Sequence, residues 1–391
     1  MSDESKIDEY LPGSLDTDER RLDPFPWYET MRENDPVRYD EDRGCWDVFR
    51  YDDVKRVLSD HETFSSAGAS DFDPIDPEGT LGTTLLDVDP PEHDRFRDVV
   101  DEYFEPGNLR KLRPSIRSMV DNQLDRALAD GPDVEVIPDV AAPVTVLTIS
   151  HLLGLSADQR DAFRQFSASM NTGEVDLAQT FEMMCEYFDG LLQDRREDPQ
   201  DDLLTVIADP EIPLSEEERT SFCVLLFLAG HETTTHAIGN ALWTLYEQGL
   251  YEAVRDGDLD WDRTFDELLR YRPPFYSVSG RRTTEEVELN GTVIPAGERV
   301  TSWIASANRD PRKFDDPEQF DPERKPNPHL AFGAGPHYCL GSPLGKLECE
   351  VIFEAITDRV ETIELDTEEL VPNPSATTYG LKRLPMRLDA R

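Results

Sequence analysis

The residues best placed to do chemistry lie in two short stretches far apart in the chain. One reads Phe332-Gly333-Ala334-Gly335-Pro336-His337-Tyr338-Cys339-Leu340-Gly341. Two glycines and a proline ahead of the cysteine favour a tight turn with close backbone approach, and Gly341 lets another backbone pass nearby. A helix follows, with Pro343 in its first turn and apolar residues at Leu344, Leu347, Val351, Ile352, Ala355 and Ile356. Cys339 thus stands at a helix N-terminus, where the dipole and free N–H groups favour a thiolate over a thiol. Backbone N–H groups aimed at the sulfur would also tune a bound metal. A lone cysteine is usually a packing residue; the flanking pattern favours the chemical reading here.

The other stretch is Ala229-Gly230-His231-Glu232-Thr233-Thr234-Thr235. It occupies the middle of an apolar-periodic segment that opens on a capping box, Ser215 and Glu218, and runs to about Gln248. As a helix that segment is about 50 Å long. A glycine, an acid and three β-branched hydroxyl residues make a poor centre for a buried helix. Such rule-breaking in a core usually marks a site. A kink or a solvent-facing polar face is the bland alternative, and the apolar flanks 224–228 and 237–245 argue against it.

The elements that must position these stretches follow from periodicity. Residues 27–34, 52–59, 92–104, 113–129, 140–153, 159–169 and 177–195 read as helices, and 37–50 reads as extended. Residues 287–289 and 292–294 flank Asn290-Gly291, a hairpin signal. The expected fold class is mainly α with a small β-sheet region. No linker or repeat divides the chain, so one domain over 1–391 is expected, with 1–22 a flexible N-terminal segment and the Pro- and Asp-rich stretch 71–79 a surface loop.

The composition excludes several functions. The formal net charge is −44, with 83 acidic residues against 39 Lys and Arg. Such a field repels nucleic acid and anionic membranes. The apolar run at 222–229 is too short to span a bilayer, and the N-terminus has no signal-peptide pattern. Five scattered cysteines without CxxC spacing argue against a disulfide framework and a zinc site. A cytoplasmic protein is the plain expectation. Self-repulsion this strong also suggests a salt-adapted cytoplasm, since concentrated salt shortens the Debye length to about 3 Å at 1 M. Dialysis to low salt is then expected to lower the thermal midpoint; an unchanged midpoint rejects salt adaptation.

The decapeptide around Cys339 resembles the haem-binding loop of cytochromes P450 at each defining position: Phe332, Gly333, Gly335, His337, Cys339 and Gly341. Ala229–Thr234 resembles the family's oxygen-activation segment, and Glu267-Leu268-Leu269-Arg270 its Glu-x-x-Arg. Phe320-Asp321-Pro322-Glu323-Arg324 resembles the meander before the cysteine loop. His93-Asp94-Arg95-Phe96-Arg97 resembles the helix that caps the haem propionates. These run in the family's order along nearly the whole chain.

The resemblance implies the cytochrome P450 fold, with haem b between the long central helix and the cysteine loop with its following helix. Cys339 becomes the axial thiolate ligand to iron, shielded by Phe332, with Gly341 beside it. His93, Arg97, His337 and one arginine before the hairpin become propionate partners. Adjacent Arg281 and Arg282 point oppositely in an extended strand, so only one faces the haem; the family's spacing favours Arg281. Glu232 and Thr233 become the catalytic pair that manages protons, and Gly230, or Ala229 beside it, leaves room for dioxygen. Glu267, Arg270 and Arg324 form a structural triad that makes no catalytic contact. Leu85, Leu86, Leu226 and Val278 are expected to line a pocket for a hydrophobic small molecule.

The implied activity is a monooxygenase that hydroxylates such a molecule with one atom of dioxygen. The chain has no flavin, nicotinamide or iron–sulfur fingerprint, so electrons are expected from a separate ferredoxin and ferredoxin reductase. Docking is expected on the cysteine-loop side, near Arg309, Arg312, Lys313, Lys325 and Lys346. A peroxide-driven enzyme of the same fold and a haem-thiolate ligand sensor are the rivals. The intact Glu232-Thr233 pair speaks against both.

Overall fold

The computed structural model describes residues 11–67, 82–156, 158–160, 163, 166 and 177–391. The expected loop at 71–79 and most of the expected helix at 159–169 lie outside the described residues. The helices that frame the site are α1 (Phe25–Asn34), α2 (Tyr51–Ser59), α3 (Glu92–Val100), α4 (Arg113–Ala127), α5 (Ala142–Leu153), α6 (Leu177–Glu197), α7 (Glu216–Glu247), α8 (Trp261–Tyr271) and α9 (Ser342–Arg359). Shorter helical turns are named by residue.

The long helix starts where its capping box places it. Ser215 Oγ accepts from the Glu218 amide at 3.2 Å, and the Glu218 carboxylate accepts from the Ser215 amide at 2.6 Å. Arg95 on α3 pairs with the same carboxylate at 2.5 Å, pinning the first turn of α7 to α3. The Arg95 bond, followed by those from Ser215, holds the Glu218 pKa down at about 2 against the opposing effect of burial. Further along, α7 buries Phe222, Val224, Phe227, Ile238, Leu242 and Leu245 and packs on α5, α8 and α9. It is the axle of the main hydrophobic core.

The largest sheet has β1 (Val37–Asp40), β2 (Cys45–Val48), β3 (Phe64–Ser65), β5 (Val278–Thr283) and β8 (Arg299–Ser302) in the order β1-β2-β8-β5-β3. Only the β2–β8 pair is parallel. A three-stranded sheet orders β4 (Asp133–Glu135), β12 (Pro385–Ala390) and β9 (Val360–Leu365). The predicted hairpin is β6 (Val287–Leu289) and β7 (Thr292–Ile294), and both turn residues, Asn290 and Gly291, have positive φ. Short strands β10 (Val371–Pro372) and β11 (Leu381–Arg383) bracket a loop at 373–380.

Two expectations need correction. The extended stretch 37–50 is a hairpin, because the Asp40 carboxylate accepts from the amides of Asp42 and Arg43 and closes a turn completed by Gly44 at φ 60°. The N-terminal segment does not hang free over its described part. Leu11 and Leu15 are buried in an aromatic cluster with Phe25, Tyr28, Phe49 and Trp303. Tyr276 and Tyr379 donate their hydroxyls to the carbonyls of Arg21 and Leu22, both at 2.8 Å.

Candidate active site

The cysteine loop is shaped by two glycines in the left-handed region, Gly333 at φ 73° and Gly335 at φ 72°. A Cβ on Gly335 would lie 2.6 Å from Ser59 Cα, so the end of α2 presses directly on the loop. The Cys339 amide donates to the Phe332 carbonyl at 2.9 Å, fixing the turn. Gly341 is the N-cap of α9. The amides of Gly341 and Ser342 and the charge of Arg97 all favour the thiolate, as the sequence suggests. Burial is the larger influence, and it raises the Cys339 thiol above its ordinary pKa. A bound metal cation adds to these favourable influences and deprotonates such a thiol outright.

Cys339 has an unusual surrounding. Its accessible surface makes it exposed, yet desolvation dominates its titration. Both hold for a residue surrounded by protein atoms that still keeps accessible surface. Phe332 is half-buried against the main core, with the Lys346 ammonium 5.7 Å from its ring centre.

A cluster of cationic and imidazole groups flanks the thiol. The His93 and His337 rings meet edge to face at 4.6 Å. Arg97 donates to the Tyr338 carbonyl at 2.9 Å. Burial, then Arg281, His93 and Arg97, pull His337 down to about 3, so all three stand close to it. Of the adjacent arginines, Arg281 is buried, whereas Arg282 turns outward to the Gly297 carbonyl. Burial lowers Arg281 to about 10, opposed by Asp89 alone. The buried His93 Nε2 has no hydrogen-bond partner. Arg97 also pairs with Asp101 at 3.0 Å and His93 Nδ1 lies 3.2 Å from Asp94, so the unmatched donors are the buried Arg281 and His93 Nε2, which suit an anionic ligand such as the two propionates of haem.

Across the fold, α7 carries an accessible stripe through its otherwise buried middle: Leu225, Leu228, Ala229, Glu232 and Thr233 are exposed or half-buried, at spacings of three and four. The first turns of α9 touch this region, since a Cβ on Gly345 would sit 3.8 Å from Thr234 Oγ1. Gly230 is off the stripe. A Cβ there would meet Ile149 Cδ1 at 2.8 Å, so this glycine permits the close approach of α5, and Ala229 is the small residue on the open face. Thr233 Oγ1 donates to the Ala229 carbonyl at 2.9 Å, leaving its lone pairs free.

Glu232 is an ionised carboxylate at neutral pH. Burial raises its pKa, but His236, Thr378 and His231 outweigh that and bring it to about 2. Its Oε1 accepts from Thr378 Oγ1 at 2.9 Å and from Asn373 Nδ2 at 3.1 Å. These partners come from the loop at 373–380 and carry no local signal in the sequence. Only His236, at i+4 on the same helix, could have been anticipated.

The triad assembles in full. Glu267 and Arg270 are completely buried and bonded bidentately at 2.7 and 2.8 Å, and Arg324 Nε reaches Glu267 at 3.1 Å. Its burial rejects the surface-pair alternative. Of the expected pocket residues, Leu85 and Leu226 pack into the main core, Val278 is half-buried and Leu86 is exposed. Beside the buried Leu226, Leu225 and Leu228 are the half-buried leucines of the stripe. The expected basic patch is thinner than its residue list. Arg309 is buried against Phe25 and Glu318, Arg312 pairs with Asp310 and Glu33, and Lys346 pairs with Asp266 at 2.7 Å.

Residues 261–387 match the family model for cytochrome P450. The chain is 36% identical over 392 residues to cytochrome P450 109 of Bacillus spizizenii, covering 96% of this chain and 94% of that one. The chain belongs to the cytochrome P450 family. It is also 35% identical to the erythromycin C-12 hydroxylase of Saccharopolyspora erythraea, covering 97% of each chain. The crystal structure of CYP109E1 from Bacillus megaterium in complex with testosterone superposes with a TM-score of 0.85 at 33% identity, covering 95% of this chain and 99% of that one.

Family membership makes this P450 a haem b monooxygenase, an oxidoreductase that incorporates molecular oxygen, with an axial cysteine thiolate as the iron ligand. The residues present fit that cofactor: a thiol with accessible surface, the buried guanidinium of Arg281, and the unpartnered buried His93 Nε2. No helix among the described residues is long and apolar enough to cross a membrane.

Proposed function

We propose that this P450, one domain over 1–391, hydroxylates a hydrophobic small molecule of steroid or macrolide size with electrons from a ferredoxin and ferredoxin reductase. The observation that carries the reading is Cys339, surrounded by protein atoms yet keeping accessible surface, with His93, Arg97, Arg281 and His337 gathered beside it. The substrate class rests on the testosterone and erythromycin named for two relatives and on the apolar stripe of Leu225, Leu228 and Ala229.

Cys339 would hold the haem by its iron, and His93, Arg97, Arg281 and His337 would hold the propionates. Haem bound there supplies dioxygen binding and the redox chemistry. Glu232, already ionised, takes a proton from water and passes it toward the stripe, acting as relay and not as a store. Thr233, whose donor is spent on Ala229, accepts a hydrogen bond from an ordered water and orients it. The half-buried Phe332 keeps water from the sulfur, and the apolar stripe sets the substrate against the open side. The Glu232-Thr233 pair favours dioxygen chemistry over a peroxide-driven route or ligand sensing.

Turnover of testosterone under isotopically labelled dioxygen, with a ferredoxin and its reductase, tests the reading. One labelled atom in a hydroxylated product is expected. Product formed only with hydrogen peroxide, or ligand binding without any product, rejects it in favour of the corresponding rival.

A further inference from the structure

Three residues spaced by one turn along α7, Glu232, His236 and Asn240, all face the loop at 373–380. Glu232 Oε1 accepts from Thr378 and Asn373. Asn240 Nδ2 donates to the Tyr379 carbonyl at 2.8 Å. Between them, the buried His236 ring lies against Gly380 so closely that a Cβ there would be 2.3 Å from Cγ and Nδ1. His236 Nε2 stands 3.6 Å from Glu232 Oε1, and neither ring nitrogen has a hydrogen bond. A buried imidazole must place at least one N–H, and leaving it unmatched is costly. Glu232 Oε1 is the acceptor within a small rotation or one bridging water.

The two carboxylate oxygens of Glu232 differ in kind. Oε1 is approached by all three donors. Oε2 has no hydrogen bond among the described residues and keeps accessible surface, consistent with the 37% exposure of the side chain. One oxygen is anchored and the other is left without an anchoring bond among the described residues.

We propose that His236 is a positioning residue for Glu232: wedged by Gly380, it completes a three-donor clamp on Oε1 that aims Oε2 at the reacting side. This rests on Glu232 being the proton relay of the proposed function. The clamp also ties the relay to the 373–380 loop, because Asn373 Nδ2 bonds Thr378 Oγ1 at 2.9 Å and the Asn373 amide donates to the Gly380 carbonyl at 2.9 Å. No covalent step is involved; His236 fixes a rotamer and stabilises a charge.

The test compares wild type, His236→Leu, His236→Gln and Glu232→Gln as haem-loaded proteins reduced by a ferredoxin and its reductase without substrate. Consumed oxygen is divided between hydrogen peroxide and water, and the solvent isotope effect on water formation is measured. The carbon-monoxide-bound spectrum and thermal midpoint serve as controls for folding. His236→Leu is expected to slow water formation about tenfold, as a misaimed group does, and to enlarge the isotope effect. His236→Gln, whose Nε2 occupies the donor position, is expected to restore both. Wild-type behaviour in His236→Leu while Glu232→Gln diverts oxygen to peroxide overturns the proposal alone. No effect in Glu232→Gln overturns the relay reading and the proposal with it.

Discussion

Arg270→Leu is expected to lower folding stability by about 3–5 kcal/mol, the cost of stripping one partner from a buried ion pair. Arg270 has no exposed surface, and each of its five N–H donors is used. Two go to the Glu267 carboxylate, and three go to the carbonyls of Asn308, Pro317 and Gln319. Removing the guanidinium takes the Arg270 donors from the Asn308 and Pro317 carbonyls and leaves Glu267 and the Gln319 carbonyl to Arg324, the remaining cation. The Asp321 amide and Asn327 also donate to Glu267, so the segment leading into the cysteine loop is then tied to a buried carboxylate that has lost one of its two cations. Arg270→Lys is expected to fail almost as badly, since three donors on a point charge do not match a planar fork of five. A shift of the urea midpoint at constant slope, with loss of retained haem, checks both variants. A change within about 0.5 kcal/mol, ordinary for surface positions, would contradict the anchoring role.

Glu232→Gln is expected to slow oxygen-dependent turnover by about 100-fold or more, the usual scale for a positioned proton-transfer group. This substitution isolates chemistry from architecture. The amide oxygen still accepts from Thr378 and Asn373, while an NH2 in place of Oε2 cannot take up a proton. Substrate affinity, read from the spin-state change on titration with testosterone, is expected to stay within about twofold, because uniform binding is untouched. An unchanged turnover number would remove Glu232 from the proton path.

Much of this was legible in the sequence, for reasons tied to particular residues. Local signals with a physical mechanism carried over: the Ser215–Glu218 box marks the true start of α7, Asn290-Gly291 turns the hairpin, and Gly333 and Gly335 take the positive φ that the cysteine loop needs. Strand alternation allows only one of Arg281 and Arg282 to face inward, the family's spacing points to Arg281, and Arg281 is the buried one. What escaped was long-range or a matter of competing magnitudes. Asn373 and Thr378 reach Glu232 from the C-terminal loop, and no local pattern marks such partners. The amides of Gly341 and Ser342 favour the Cys339 thiolate as the sequence suggests, while the burial that opposes them carries no local signal. Gly230 broke a helix rule as expected, yet it serves contact with Ile149, not the open face. Leu226, expected to line the pocket, is buried, and its neighbour Leu225 is the one with accessible surface.

The acidic surface belongs to the same account. Arg309, Arg312 and Lys346 are each matched to a carboxylate, so their positive charge is largely spent inside the fold and along its rim. The face around these residues is therefore less basic than the sequence suggests.

The central claim, a haem held by the Cys339 thiolate, is tested most directly by the absorption spectrum of the dithionite-reduced, carbon-monoxide-bound protein purified in high salt, beside Cys339→Ser. Electron donation from the thiolate predicts a strongly red-shifted Soret band in wild type that is lost in the variant. Haem binding with the band where histidine-ligated haems place it, in either protein alike, would contradict the assignment of Cys339 and the mechanism built on it.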